Sequence, residues 1–157
     1  MNRPDKEQHL RLVTKVVDDS VFINITPTAY DVEDVVLGAC IISKNVLISY
    51  ADLLRDELFH KPENKIIFGC LKELYDAGDK VDMVTVYNQV RSRGNIDDIG
   101  GPGAISELTA RISGGENTER HIRILQQYAM RRMIIDMAVD AAQCNYDDTK
   151  DVFDSID

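Results

Sequence analysis

The side chains in this sequence that could do chemistry are paired carboxylates, histidines, cysteines and any lysine placed to meet a phosphate. Asp97-Asp98 and Asp147-Asp148 are adjacent acids, and two carboxyls can share general-acid and general-base work when their environments push their pKa values apart. That separation needs an apolar wall or a buried neighbouring charge, and both pairs stand in polar, turn-like stretches. They read as solvated. His9, His60 and His121 are scattered, with no H-E-x-x-H spacing and no Cys/His grouping of a zinc site. Cys40, Cys70 and Cys144 form no C-x-x-C pair and are odd in number, so they read as small buried apolar residues of a reducing compartment.

None of the nine glycines is followed directly by lysine, so the phosphate-cradling loop G-x-x-x-x-G-K-[ST] is absent from the chain. No catalytic, cofactor-binding or metal-binding residue is expected, and a small enzyme is the least favoured reading. Basic residues cluster at one place, Arg120, Arg123, Arg131 and Arg132, followed by a strongly acidic stretch from Asp136 to Asp157. With 18 Lys and Arg against 27 Asp and Glu, the net charge of -9 repels nucleic-acid phosphate, so no strong direct DNA binding is expected. Those arginines read first as charge contacts between protein surfaces or as solvated positions, and only second as phosphate contacts. The chain opens Met-Asn-Arg-Pro-Asp-Lys without an apolar run, and nothing approaches the roughly 18 apolar residues of a membrane span. A cytoplasmic protein with no membrane role is expected.

The elements that would position these residues are helical after residue 27. Before that point, Leu10 to Val17 and Val21 to Ile25 flank the turn-like Asp18-Asp19-Ser20, a pattern that allows a short β-hairpin arm or a tail. Asp31 is placed to cap a first helix with Leu37, Cys40 and Ile41 on one face. Ser43 is placed to cap a second, whose stripe Leu47, Tyr50, Ala51, Leu54 and Leu58 keeps helical spacing. Phe59 and Pro62 mark a break. A third helix carries Ile67, Cys70, Leu71 and Leu74 and stops at Gly78; a fourth, opened by Asp82, turns Met83, Val86, Tyr87 and Val90 inward and stops at Gly94. Gly100-Gly101-Pro102 turns the chain into a short fifth helix with Ile105, Leu108 and Ile112, closed by Ser113-Gly114-Gly115.

From Asn117 to about Cys144 there is neither Gly nor Pro, and one helix of about 40 Å is predicted. Ile122, Leu125 and Ala129 repeat at heptad-like spacing, and after a shift of one residue Met130, Ile134, Met137, Ala141 and Cys144 continue the stripe. So long a stripe calls for another surface, and the bet for an interface is Ile122, Leu125, Ala129, Met130, Ile134 and Met137. Asn145 to Asp148 then reads as a turn, and Val152, Phe153 and Ile156 as the start of a returning helix. The expected class is all-α: an arm over residues 1–27, a compact head of about five short helices over 28–115, and a long helix beginning a helical hairpin over 116–157.

Several stretches resemble the N-terminal domain of DnaB-type bacterial replicative DNA helicases. Val36-Leu37-Gly38-Ala39 with Ile41-Ile42 is similar to its first-helix VLGALL. Phe59, Ile67-Phe68, Leu71, Leu74-Tyr75, Gly78, Val81-Asp82 and Val84-Thr85-Val86 follow the family pattern F…IF..I..LY..G.PVD.VTV in order and spacing. Val90-Arg91-Ser92-Arg93-Gly94, Ile99-Gly100-Gly101 and Ile105 to Leu108 continue it, and Asn117, Ile122, Ile124-Leu125 and Arg131-Arg132 resemble its long helix. Asn64 stands where the family usually has His, and Lys80 where it often has Pro. The resemblance implies a helical head and hairpin that self-associate into dimers and a hexameric collar. It also implies docking of primase or a helicase loader, and a motor domain elsewhere in the parent, an ATP-dependent helicase. A free-standing replication adaptor with the same fold, similar to the helicase-binding domain of primases, is the alternative.

Overall fold

The computed structural model describes residues 26–112 and 117–146, with side chains through residue 142. Among the described residues there are six α-helices, one 3₁₀ turn and no strand: α1 Tyr30–Ile42, α2 Lys44–Tyr50, the 3₁₀ turn Asp56–Leu58, α3 Pro62–Asp76, α4 Met83–Ser92, α5 Ala104–Ala110 and α6 Thr118–Tyr146. They fall into two compact units, one of residues 28–129 and one of residues 26–27 with 130–146. The arm expected before residue 26 and the returning helix expected around Val152, Phe153 and Ile156 lie outside the described residues, as does the closing Ser113-Gly114-Gly115.

Helix α1 is the centre of the first unit. It packs on α2, α3, α4 and α5, and every residue from Glu33 to Ile41 except Val35 is buried. A helix apolar nearly all round belongs inside a core. Gly38 permits the α1–α5 approach: a Cβ there would lie 2.5 Å from the Leu108 carbonyl oxygen and 2.7 Å from Ile112 Cδ1. Phe59, Ile67, Leu71, Val86, Val90 and Ile105 complete the core, with the Phe59 and Phe68 rings tilted against each other at 4.5 Å. The start of α6 joins them through Ile122 and Leu125, which are 0% and 1% exposed.

Helix ends follow their local chemistry, with exceptions. Asp82 caps α4: its Oδ1 accepts from the Val84 and Thr85 amides at 3.0 and 2.9 Å, while Thr85 Oγ1 accepts from the Asp82 amide at 2.9 Å. This reciprocal box holds the Asp82 carboxyl down to about 2, chiefly through the Thr85 amide and then through Lys80, so the cap is charged at neutral pH. Helices α3 and α4 both end with the paired hydrogen bonds of a Schellman turn, Gly78 to Tyr75 with Asp79 to Leu74, and Gly94 to Arg91 with Asn95 to Val90. The glycines supply the φ values of 77° and 75° that such turns demand.

Four local expectations are corrected. The α1 cap position is Ala29, and Asp31 lies within the first turn, because the chain turns helical one residue before the acid. Helix α2 stops at Tyr50; Leu54 and Leu58 are buried as expected, but from the turns that follow rather than from one long helix. Met83 at the start of α4 is 43% exposed rather than inward. Asn145 and Tyr146 continue α6 rather than forming a turn.

Cys40 and Cys70 are fully buried and free, and burial pushes the Cys40 thiol up to about 12. Burial also raises Cys70, against the opposing pull of Arg93. At about pH 8 the Cys40 thiolate is then a fraction on the order of one in ten thousand. A Cys144→Ser variant is expected to be inert to Ellman's reagent while folded and to show the thiols of Cys40 and Cys70 on unfolding. Prompt reaction of the folded variant would contradict this packing.

Candidate protein-interaction site

Helix α6 carries the candidate surface. Along its middle, Met130, Met133, Ile134 and Met137 are 55%, 50%, 59% and 64% exposed. Their spacing of i, i+3, i+4 and i+7 places them on one face of the helix. Four large apolar side chains in water on one stripe are unusual, since isolated exposed apolar residues are ordinary and a contiguous row is not. Methionine dominates, and its unbranched, polarizable chain adapts to a partner surface without one fixed shape.

The structure divides the six residues expected at an interface. Ile122 and Leu125 are buried in the core of the first unit, and Ala129 is half-buried against it. Their heptad spacing is that of a core stripe. Met130, Ile134 and Met137 are exposed, and Met133, absent from that set, lies between them. Periodicity alone cannot tell an intrachain stripe from an interchain one, because both have the same spacing.

The arginines are also divided. Arg123 Nη2 donates to Glu119 Oε1 at 2.8 Å one turn away, and Arg132 Nη1 donates to the Pro27 carbonyl at 3.0 Å. These two are engaged within the chain. Arg120 and Arg131 are both exposed on the same helix, and Arg131 also has a partner within the chain.

One polar cluster escaped the sequence reading. Glu33 and Asp34, 0% and 4% exposed, face the approach to α3. Glu33 accepts from the His60 amide at 2.9 Å, the Lys61 amide at 3.1 Å and Asn64 Nδ2 at 3.2 Å. Asp34 accepts from Asn64 Nδ2 at 2.9 Å, Lys61 Nζ at 3.4 Å and Arg111 Nη1 at 2.7 Å. Asn64, 1% exposed, thus bridges both acids. Among the described residues no buried side-chain nitrogen or oxygen lacks a partner, so this network is a fully satisfied clamp joining α1, α3 and the end of α5. It leaves no acid or amide aimed at a substrate. Nor, among the described residues, are three His, Cys, Asp or Glu side chains grouped as metal ligands would be. No described helix is long and apolar enough to cross a membrane.

The described residues form an all-helical domain with an exposed apolar stripe on its long helix. Comparison with known proteins gives the family. Residues 25–127 match the model of the DnaB-like helicase N terminal domain, and the chain belongs to that family. It is 31% identical over 133 residues to the replicative DNA helicase DnaB of Rhodothermus marinus, and 30% identical over 122 residues to that of Geobacillus stearothermophilus. These matches take in 85% and 78% of this chain but only 14% and 27% of the two helicases. In three dimensions it resembles the N-terminal domain of DnaB helicase from Mycobacterium tuberculosis, with TM-score 0.73, 25% identity, and coverage of 77% of this chain and 86% of that one. The same fold recurs, with TM-score 0.65 and 21% identity, in a DnaB-like replicative helicase solved in a study of its interactions with primase; there the match takes in 73% of this chain and 27% of that one.

Proposed function

We propose that this chain serves DNA replication as the collar-forming N-terminal domain of a replicative helicase, assembling subunits and docking primase or a helicase loader in the cytoplasm. The observation that carries the reading is the exposed α6 stripe of Met130, Met133, Ile134 and Met137 in a domain of this family. Fully burying each such side chain is worth roughly 1.5–3 kcal/mol, and with half or a little more of each still exposed one copy's stripe supplies about 3–7 kcal/mol. Association costs an estimated 4–15 kcal/mol. A two-fold interface presents the stripe twice, which brings the sum within reach of a stable pair. The domain organisation proposed with it is a head over residues 28–115, a long helix opening a hairpin over 116–157, and an arm over 1–27. ATP hydrolysis and unwinding would belong to a motor domain that this sequence does not contain.

Two titrations test this reading. Calorimetry with Mg-ATP is expected to give no micromolar binding, since the phosphate-cradling loop G-x-x-x-x-G-K-[ST] is absent from the chain. Calorimetry with the cognate primase or loader is expected to give saturable binding. Tight nucleotide binding, or silence toward both proteins, would overturn the reading; binding by a chain that stays monomeric would favour the free-standing adaptor.

A further inference from the structure

Helices α2 and α3 enclose a slot of about 290 Å³ on the surface of the first unit. Its floor is core, formed by Leu47, Phe68 and Leu71, and its rim carries Asp52, Lys72 and Asp76. Lys72 is occupied by Asp56 at 3.5 Å. Asp52 and Asp76 carry no ion pair among the described residues, and both are exposed. Ile48, one turn before Asp52, and Leu53, next to it, are 51% and 39% exposed. Apolar surface therefore continues outside the slot.

We infer that this slot receives one large apolar side chain from a partner protein whose flanking residues are lysine or arginine. The slot is open to solvent, which favours a side-chain anchor, because pockets for whole small molecules bury most of the ligand's surface. The charge selects the flanks: two unpaired carboxylates at the rim attract cations and repel both phosphate and an acidic peptide. A second copy of this chain, were it the occupant, would give slot shifts that depend on protein concentration without any added peptide. The slot shares no residue with the α6 stripe, so this binding requires no assembly.

The test is a titration of the isotope-labelled chain, followed by amide resonances, with three short synthetic peptides. One is a Lys/Ala peptide with a single central Phe, the second has that Phe replaced by Ala, and the third has every Lys replaced by Glu. Saturable shifts at Ala51, Lys72, Tyr75 and Asp76 are expected with the first peptide alone, weakening roughly tenfold or more at high salt and in an Asp52→Lys, Asp76→Lys variant. Ala51→Phe, which fills the slot from within, is expected to abolish the shifts while the remaining spectrum holds. Equal binding of the Ala peptide, shifts centred instead on Ile42 and Met83, slot shifts that depend on protein concentration without peptide, or no shifts at all would each overturn the inference.

Discussion

Glu33→Ala is expected to lower the unfolding free energy by about 2–5 kcal/mol, because it removes the acceptor from a buried network and strands two backbone donors at roughly 1–3 kcal/mol each. The His60 and Lys61 amides lose their acceptor, and Asn64 Nδ2 is left with Asp34 alone. Domains of this size are stable by about 5–15 kcal/mol in total, so the variant stands near the edge of folding at physiological temperature. Glu33→Gln keeps one accepting oxygen and is expected to cost about 1–3 kcal/mol. Urea unfolding followed by circular dichroism measures both. A loss of under about 1 kcal/mol for the alanine variant would mean that water takes over the donors and that α1 and α3 are not clamped there.

Gly38→Ala and Gly69→Ala are the same substitution within helices and are expected to differ in sign. At Gly38 the new Cβ meets backbone, the Leu108 carbonyl oxygen at 2.5 Å, and α5 must move away from α1. Overpacking of this kind costs about 1–3 kcal/mol, more than the roughly 1 kcal/mol that alanine gains over glycine in a helix. At Gly69 nothing lies within 4 Å, so only the gain remains, about 0.5–1 kcal/mol. Thermal melts would show Gly38→Ala below the parent and Gly69→Ala above it. Equal shifts would remove the close α1–α5 contact from the account.

The succession of helices was legible because several boundaries are written in local chemistry. Asp82 with Thr85 makes a box, and Gly78 and Gly94 allow left-handed turns; none of these depends on the tertiary fold. The end of α2 was not legible, because Leu47, Leu54 and Leu58 keep helical spacing while the backbone between them leaves the helix. Their burial is set by the core and not by the element. The Glu33–Asp34–Asn64 clamp did leave a signal: Glu33 lies four and eight residues before Leu37 and Ile41, an acid on the most apolar stripe in the chain. Such a placement asks for buried donors, but their identity depends on a segment some thirty residues away.

The α6 stripe showed the opposite failure. The pattern, read as one stripe, shifts by one residue between Ala129 and Met130, and that shift falls where burial in the chain's own core gives way to exposure. Leu125→Glu would place a carboxylate in that core and unfold the domain, so it cannot probe association. Ile134→Glu and Met137→Glu can, because both side chains are more than half exposed. Sedimentation equilibrium at tens of micromolar is therefore the most direct test of assembly through this helix. The account predicts dimers or larger species for the parent chain and monomers for both variants, with helicity by circular dichroism retained. A parent chain that stays monomeric at every concentration, or variants that associate as it does, would contradict it.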